Sequence, residues 1–245
     1  MAKSAKLPAA VLPLPASGTT GSKYDDRFSH VLKAAAEVMA EEGYEQATIR
    51  KIAQRARMSI AGLYYYISNK EELLFHIQFS TFDCLVRDLK ARLETARETS
   101  PEQRLRIVVE NHLQHFLKNL PALKVCAREL ESLKGDPYKQ VLERRREYYR
   151  ITRGIIDELA SGASVDSDLA ALLLFGMLNW VYTWYNPRRH RDLKNLQEQL
   201  SNLFINGIKP RPGAAPRGPE SARSGRDQQG AAPRGPESAR SGRDQ

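Results

Sequence analysis

Thr48 to Lys70 reads TIRKIAQRARMSIAGLYYYISNK and holds Arg50, Lys51, Arg55, Arg57 and Lys70 without one acidic residue. The flanks have the opposite sign, with Asp25, Asp26, Glu37, Glu41, Glu42 and Glu45 before it and Glu71 and Glu72 after it. Cations interleaved with Tyr64, Tyr65 and Tyr66 are the chemistry of phosphate contact: Lys and Arg bring charge, and tyrosine hydroxyls donate hydrogen bonds. Small residues at Ser59, Ala61 and Gly62 let a backbone approach a base edge. A basic run is ordinarily a solvated helix face, but here charge segregation, caps and small residues coincide. For catalysis the chain offers little. It has no Gly-rich phosphate loop, nucleophile elbow or catalytic pairing. His112 and His115, three apart and beside Glu110, lack the further ligands of a zinc site. No enzyme activity, metal or cofactor is expected.

The elements that must carry these residues are helical throughout; no alternating run reads as a strand. Phe28, Val31, Leu32, Ala35, Val38 and Met39 form one apolar stripe on a first helix, ended by Gly43. Thr48 caps a short second helix with Ile49, Ile52, Ala53 and Ala56 inward, and Ser59 caps a third over residues 60–66. Two short helices around a tight turn make a helix-turn-helix, whose second helix lies in the major groove. A fourth helix starts at Ser68 or Asn69 and runs to Ser100-Pro101. Pro101 and Pro121 then begin the fifth and sixth. Gly135-Asp136-Pro137 precedes a long seventh, closed by Ser161-Gly162. Asp166 or Ser167 caps an eighth, which Pro187 ends, and a ninth runs from about His190 to Gly207. The expectation is nine helices and an all-α fold.

Length and composition agree with that picture. The 245 residues suffice for two small domains, and the net charge of +9 favours a polyanionic partner. Cys84 and Cys126 are too few for a disulfide framework, so a reducing cytoplasm is the default location. Leu169 to Tyr185 carries no charge, yet it is shorter than the roughly 20 residues of a membrane span, so burial in a core or against a partner subunit is expected instead. Residues 1–22 and 210–245 should be disordered; Gly213–Gln228 recurs letter for letter as Gly230–Gln245, in a composition unable to bury a core.

Over residues 24–75 the chain resembles the TetR family of bacterial transcription regulators. The features are Thr48, the Ile52-Ala53 pair, Ser59, Leu63-Tyr64-Tyr65-Tyr66 and Asn69-Lys70-Glu71-Glu72-Leu73. Two departures are Arg57, where the family usually has Gly in the turn, and Ile67 in place of an aromatic. The resemblance implies a DNA-binding domain at 23–72 and a ligand-binding and dimerisation domain at 73–209. It places Ser59, Ala61, Gly62 and Tyr65 against bases, and Thr48, Tyr64, Tyr66 and Lys70 on phosphates. Arg50, Arg57 and Ile60 complete the candidate DNA surface; Tyr64 fits a core aromatic equally well. A homodimer through the eighth and ninth helices would set two reading heads on a palindromic operator.

Phe175 to Pro187 (FGMLNWVYTWYNP) is similar to a stretch in the TetR branch that answers acyl-CoA thioesters of fatty-acid, aromatic or steroid degradation. Thr183 stands where some of that branch have Arg. The resemblance makes Asn179, Trp180, Trp184 and Tyr185 candidates to line or gate an acyl slot. Arg128, Arg145, Arg146, Arg150 and Arg153 are the candidate cations for the phosphates, as guanidinium geometry suits them. The implied function is a repressor released from its operator by such an effector. A repressor of an efflux pump sensing a hydrophobic drug, or a helical adaptor without operator DNA, are the alternatives.

Overall fold

The computed structural model describes residues 23–186 and 192–208, and these contain nine α-helices, one 3-10 turn and no strand. The expected disordered arms, Pro187 and His190 lie outside the described residues.

Helix α1 (Lys23–Glu42) ends where Gly43 takes φ +84°, a left-handed backbone that glycine adopts freely. Helices α2 (Ile49–Arg55), α3 (Ile60–Tyr64) and α4 (Lys70–Thr95) begin at the caps Thr48, Ser59 and Asn69. The third helix is shorter than expected: Tyr66 N–H bonds to the Leu63 carbonyl in a tightened last turn, and the chain leaves the helix there. Asn69 accepts from Glu72 N–H at 2.8 Å while Glu72 accepts from Ser68 N–H at 2.6 Å. This reciprocal capping satisfies two orphan donors at the start of α4.

Helices α5 (Pro101–Lys118) and α6 (Leu120–Arg128) follow, each with proline in its first turn. The 3-10 turn Leu130–Ser132 leads into α7 (Gly135–Leu159), which starts at Gly135 itself, not after Pro137. Asp166 caps α8 (Ser167–Trp184), accepting from Asp168 and Leu169 N–H, and α9 (Leu193–Ile208) closes the described chain. No helix among the described residues is long and apolar enough to cross a membrane.

Two apolar clusters hold these elements. The first joins α1, α2, α3 and the start of α4 through Val31, Ala35, Ile52, Leu63, Ile67 and Leu73. It also takes in Val125 of α6, Leu133 and Val141 of α7. Ile67 is thus a core residue, 3 % exposed. The second cluster unites the rest of α4 with α5, α7, α8 and α9 around Leu85, Leu105, Leu113, Ile156, Leu174 and Phe204. Helix α4 contributes to both, and α6 packs against both α1 and α4.

Candidate nucleic-acid interface and effector cavity

The turn between α2 and α3 sets the geometry of the head. Arg57 sits at φ +54°, so the position that the sequence marks as wanting glycine is left-handed, and its side chain is exposed. Ser59 then caps α3 by accepting from Gly62 N–H at 3.0 Å. A Cβ on Gly62 would stand 3.1 Å from that same Ser59 oxygen, so residue 62 is small partly to admit its own cap. Helix α3 buries only Leu63. Ile60, Tyr64 and Tyr65 are 45, 51 and 73 % exposed, and Ala61 is exposed with them. Tyr64 therefore faces solvent, not the core.

Tyr66 is different. It packs on Tyr24 with ring centroids 5.0 Å apart and on Phe28 at 6.4 Å, and Phe28 meets His76 of α4 edge-on at 5.1 Å. This stack ties the end of α3 to α1 and α4. Burial holds the His76 imidazole below its ordinary range, against the pull of Glu72.

The acid-free stretch is less electropositive in space than in sequence. Lys51 pairs with Glu42 at 2.8 Å, and Arg55 bridges Glu41 at 2.6 Å and Glu37 at 3.3 Å, all from α1. Arg50 and Arg57 are exposed and make no ion pair among the described residues. Lys70 donates to the carbonyls of Tyr44 at 2.8 Å and Glu45 at 3.2 Å and lies 4.3 Å above the Tyr44 ring. Its ammonium fastens the loop after α1 to the start of α4. Thr48 accepts from Lys51 N–H at 3.3 Å, so its hydroxyl oxygen serves as a cap.

The candidate arginines of the second region differ in their surroundings. Arg128 is exposed at the end of α6 and Arg146 on α7; Arg150 pairs with Glu143, and Arg153 with Asp168 at 2.9 Å. Arg145 points inward. It donates to the Cys126 carbonyl and to Gln78 Oε1 at 3.1 Å, and its guanidinium lies 4.6 Å from the Phe82 ring centroid. Burial lowers its affinity for the proton, though a guanidinium stays charged. Gln78 passes the connection on, donating to the Glu129 carbonyl at 2.9 Å, and the Glu129 carboxylate accepts from Tyr44 N–H at 3.2 Å. A polar chain thus runs from Arg145 on α7 through α4 to the loop that Lys70 holds.

Trp180 and Trp184 are 65 and 47 % exposed on α8, Asn179 is exposed near them, and Tyr185 packs against the second cluster. Leu169, Leu172, Leu173 and Met177 share the exposed side of α8, and Leu203 of α9 is 70 % exposed.

A cavity of about 480 Å³ opens between α1, α4, α5 and α6. Lys33, Arg87, Arg92 and Lys118 line it with a single carboxylate, Asp88, against them. Arg87 lies within 4 Å of Asp83 and Asp88, and Arg92 donates to Gln114 at 2.8 Å. Its walls include Ser29, Leu32 and Ala36 of α1, so whatever fills it touches the reading head directly. None of these cations stands out in the sequence, because they come from three helices, two of them from α4, each surrounded by ordinary surface charge.

A helix-turn-helix head joined through one continuous helix to an all-helical domain defines a class of DNA-binding transcription regulators. Residues 31–77 match the family of bacterial regulatory proteins typified by TetR, and residues 98–208 match the tetracycline-repressor-like C-terminal domain. The chain belongs to the TetR family of transcription regulators. It is 25 % identical over 187 residues to the fatty acid metabolism regulator protein of Bacillus subtilis, covering 74 % of this chain and 95 % of that one. A TetR-family regulator from Bordetella parapertussis superposes with TM-score 0.68 at 25 % identity, over 73 % of this chain and 94 % of that one. AibR, solved in complex with isovaleryl coenzyme A and operator DNA, superposes with TM-score 0.63 at 25 % identity, over 75 % and 98 %.

Proposed function

We propose that the protein is a dimeric repressor, released from a palindromic operator when an acyl-CoA thioester of a catabolic pathway occupies the domain behind its reading head. Residues 23–72 read DNA and residues 73–209 bind the effector and dimerise. Ile60, Ala61, Tyr64 and Tyr65 offer the exposed face of α3 to bases, while Arg50 and Arg57 reach phosphates. The α8 face from Leu169 to Trp180, with Leu203, is too apolar to stay in water, and a two-fold partner covers it. The location is the cytoplasm, where operator and effector meet.

The observation that carries the regulatory part is the composition of the cavity wall. An anion drawn to Lys33, Arg92 and Lys118 contacts α1, α4 and α5 together, so binding biases the angle of the head. Two of the α7 arginines, Arg150 and Arg153, are paired with acids and Arg145 is turned inward, which favours this cluster as the phosphate-binding group. A neutral drug gains nothing from it, which favours the CoA ester over an efflux effector. Resemblance to AibR and to the Bacillus regulator points the same way. Thermal unfolding with free CoA and with a series of CoA esters tests the reading, because a ligand that binds only the folded state raises its stability. One ester should raise Tm well above free CoA. A dimer indifferent to every CoA compound contradicts the assignment.

A further inference from the structure

Two side chains inside the second apolar cluster have hydrogen-bonding groups that the fold leaves unanswered. His112 of α5 and Tyr148 of α7 are each 2 % exposed. Neither ring nitrogen of His112 and not the hydroxyl of Tyr148 meets a partner in hydrogen-bond geometry. Their rings stand 5.9 Å apart, with Phe116 4.5 Å from His112 and Phe175 of α8 5.6 Å from Tyr148. The Asn179 amide interacts with the His112 ring and the Asn111 amide with the Tyr148 hydroxyl, each outside good hydrogen-bond geometry, and the Asn111 amide donates instead to the Leu85 carbonyl at 3.0 Å. The other buried polar atoms without a partner among the described residues are Gln197 Nε2 on α9 and the Nε atoms of Arg104 and Arg145, whose guanidinium groups are engaged elsewhere. Both ring nitrogens of His112 lack a well-aligned partner, with the Asn179 amide near the ring.

Buried polar groups in folded proteins are normally satisfied, and the exceptions call for an explanation. Burial pushes the His112 imidazole down to about 3, so the ring is neutral at any working pH. Burial likewise pushes the Tyr148 phenol up, so it keeps its proton. A neutral imidazole beside a phenol, boxed by phenylalanines, repels a carboxylate or phosphate, since no charge compensates it there. It suits an uncharged oxygen on an apolar chain: the phenol donates, and so does the imidazole N–H of the matching tautomer. Asn111 lines the cavity and adjoins Tyr148, so the pair lies one side chain behind that wall.

We infer that His112 and Tyr148 are the specificity pair that receives a neutral carbonyl oxygen of the effector, such as that of a thioester, in the interior between α5, α7 and α8. This deepens the effector reading and rests on it for the choice of CoA probes. The pair acts on ligand selection alone, through the principle that a site built to bond an oxygen discriminates strongly against the analogue without it.

The test compares hexanoyl-CoA with hexyl-CoA, the thioether that lacks only the carbonyl, by calorimetric titration of the full-length protein. A medium-chain methyl ketone and the alkane of equal length form a second pair without CoA. Wild type should bind the carbonyl member at least about tenfold more tightly. Tyr148→Phe removes the hydroxyl and keeps the ring, and should bring the two within about twofold without weakening the thioether; His112→Phe is the second variant. Thermal unfolding in the absence of ligand checks that both variants fold. Equal binding of ester and thioether by wild type overturns the inference while leaving the CoA reading intact. A tenfold preference that survives both substitutions also overturns it. If neither CoA compound binds but the ketone exceeds the alkane, the CoA reading fails and the pair stands.

Discussion

In the reading head, the outward-facing residues Ile60, Ala61, Tyr64 and Tyr65 are neighbours in sequence, positioned by the cap at Ser59 within six residues of each. In the cavity, Lys33, Arg92 and Lys118 arrive from three helices and meet only because α1, α4 and α5 pack together. The head is therefore local chemistry, and a single change there acts on one surface. The effector half is tertiary chemistry, and its parts respond to packing. The difference also explains why α4, which enters both apolar clusters, is the natural route between them.

The comparison breaks most severely at the exposed side of α8. Leu173, 59 % exposed, should tolerate Glu as a monomer but not within a dimer. Leu173→Glu should give monomers in sedimentation and lower operator affinity about 100-fold, because two linked heads bind far more tightly than one. A variant that remains dimeric removes α8 from the interface.

Acid should expose the effector half next. The native His112 pKa of about 3 lies below the ordinary 6.5, so between those values the unfolded chain binds a proton that the folded one refuses. The contribution is fully present above pH 6.5 and is lost as pH falls, by at most about 1.4 kcal/mol per unit, until about pH 3. Denaturant titrations of wild type and His112→Phe across pH 7 to 4.5 should show the variant losing less stability. Parallel curves would mean that the imidazole is not held neutral.

Cation removal then sharpens the division between cavity and surface. Lys33→Ala, Arg92→Ala or Lys118→Ala should each weaken the CoA ester roughly three- to tenfold, as expected for one charge-assisted contact. Arg146→Ala on the outside of α7 should change it less than about twofold. The reverse order would return the phosphate site to α7.

The smallest effect belongs to the turn. Arg57 at φ +54° carries a left-handed penalty of about 1 kcal/mol. Arg57→Gly should therefore raise Tm by a few degrees while reducing the salt slope of DNA binding by about one phosphate contact. An unchanged slope places Arg57 away from the backbone of the duplex.

Much of this was legible beforehand, and for physical reasons. Caps at Thr48, Ser59, Asn69 and Asp166, and proline in the first turns of α5 and α6, depend on one turn of chain, so they mark helix starts without tertiary information. The left-handed turn at Arg57 and the buried Ile67 follow from position within the motif. Charge did not transfer so well. Lys51 and Arg55 looked free in the acid-free stretch, but α1 packs antiparallel acids Glu37, Glu41 and Glu42 over them. Lys70, a phosphate candidate in the sequence, also holds two backbone carbonyls, a role that only the fold reveals. Of the α7 arginines, Arg146, Arg150 and Arg153 do share one helix face, but Arg150 and Arg153 are paired with Glu143 and Asp168 across local and tertiary contacts, and Arg145 turns inward. In the sequence His112 has Glu110 and His115 as its nearest titratable neighbours; its partner across the core, Tyr148, lies on a different helix.

The most direct test of coupling between the two regions is fluorescence anisotropy on a palindromic duplex selected in vitro from random sequence, titrated at fixed salt with and without the CoA ester that stabilises the protein most. The account predicts tight binding by the free dimer and a five- to 150-fold loss on saturation with the ester, the span of typical allosteric coupling of about 1–3 kcal/mol. Equal operator affinity with and without bound ester would contradict it.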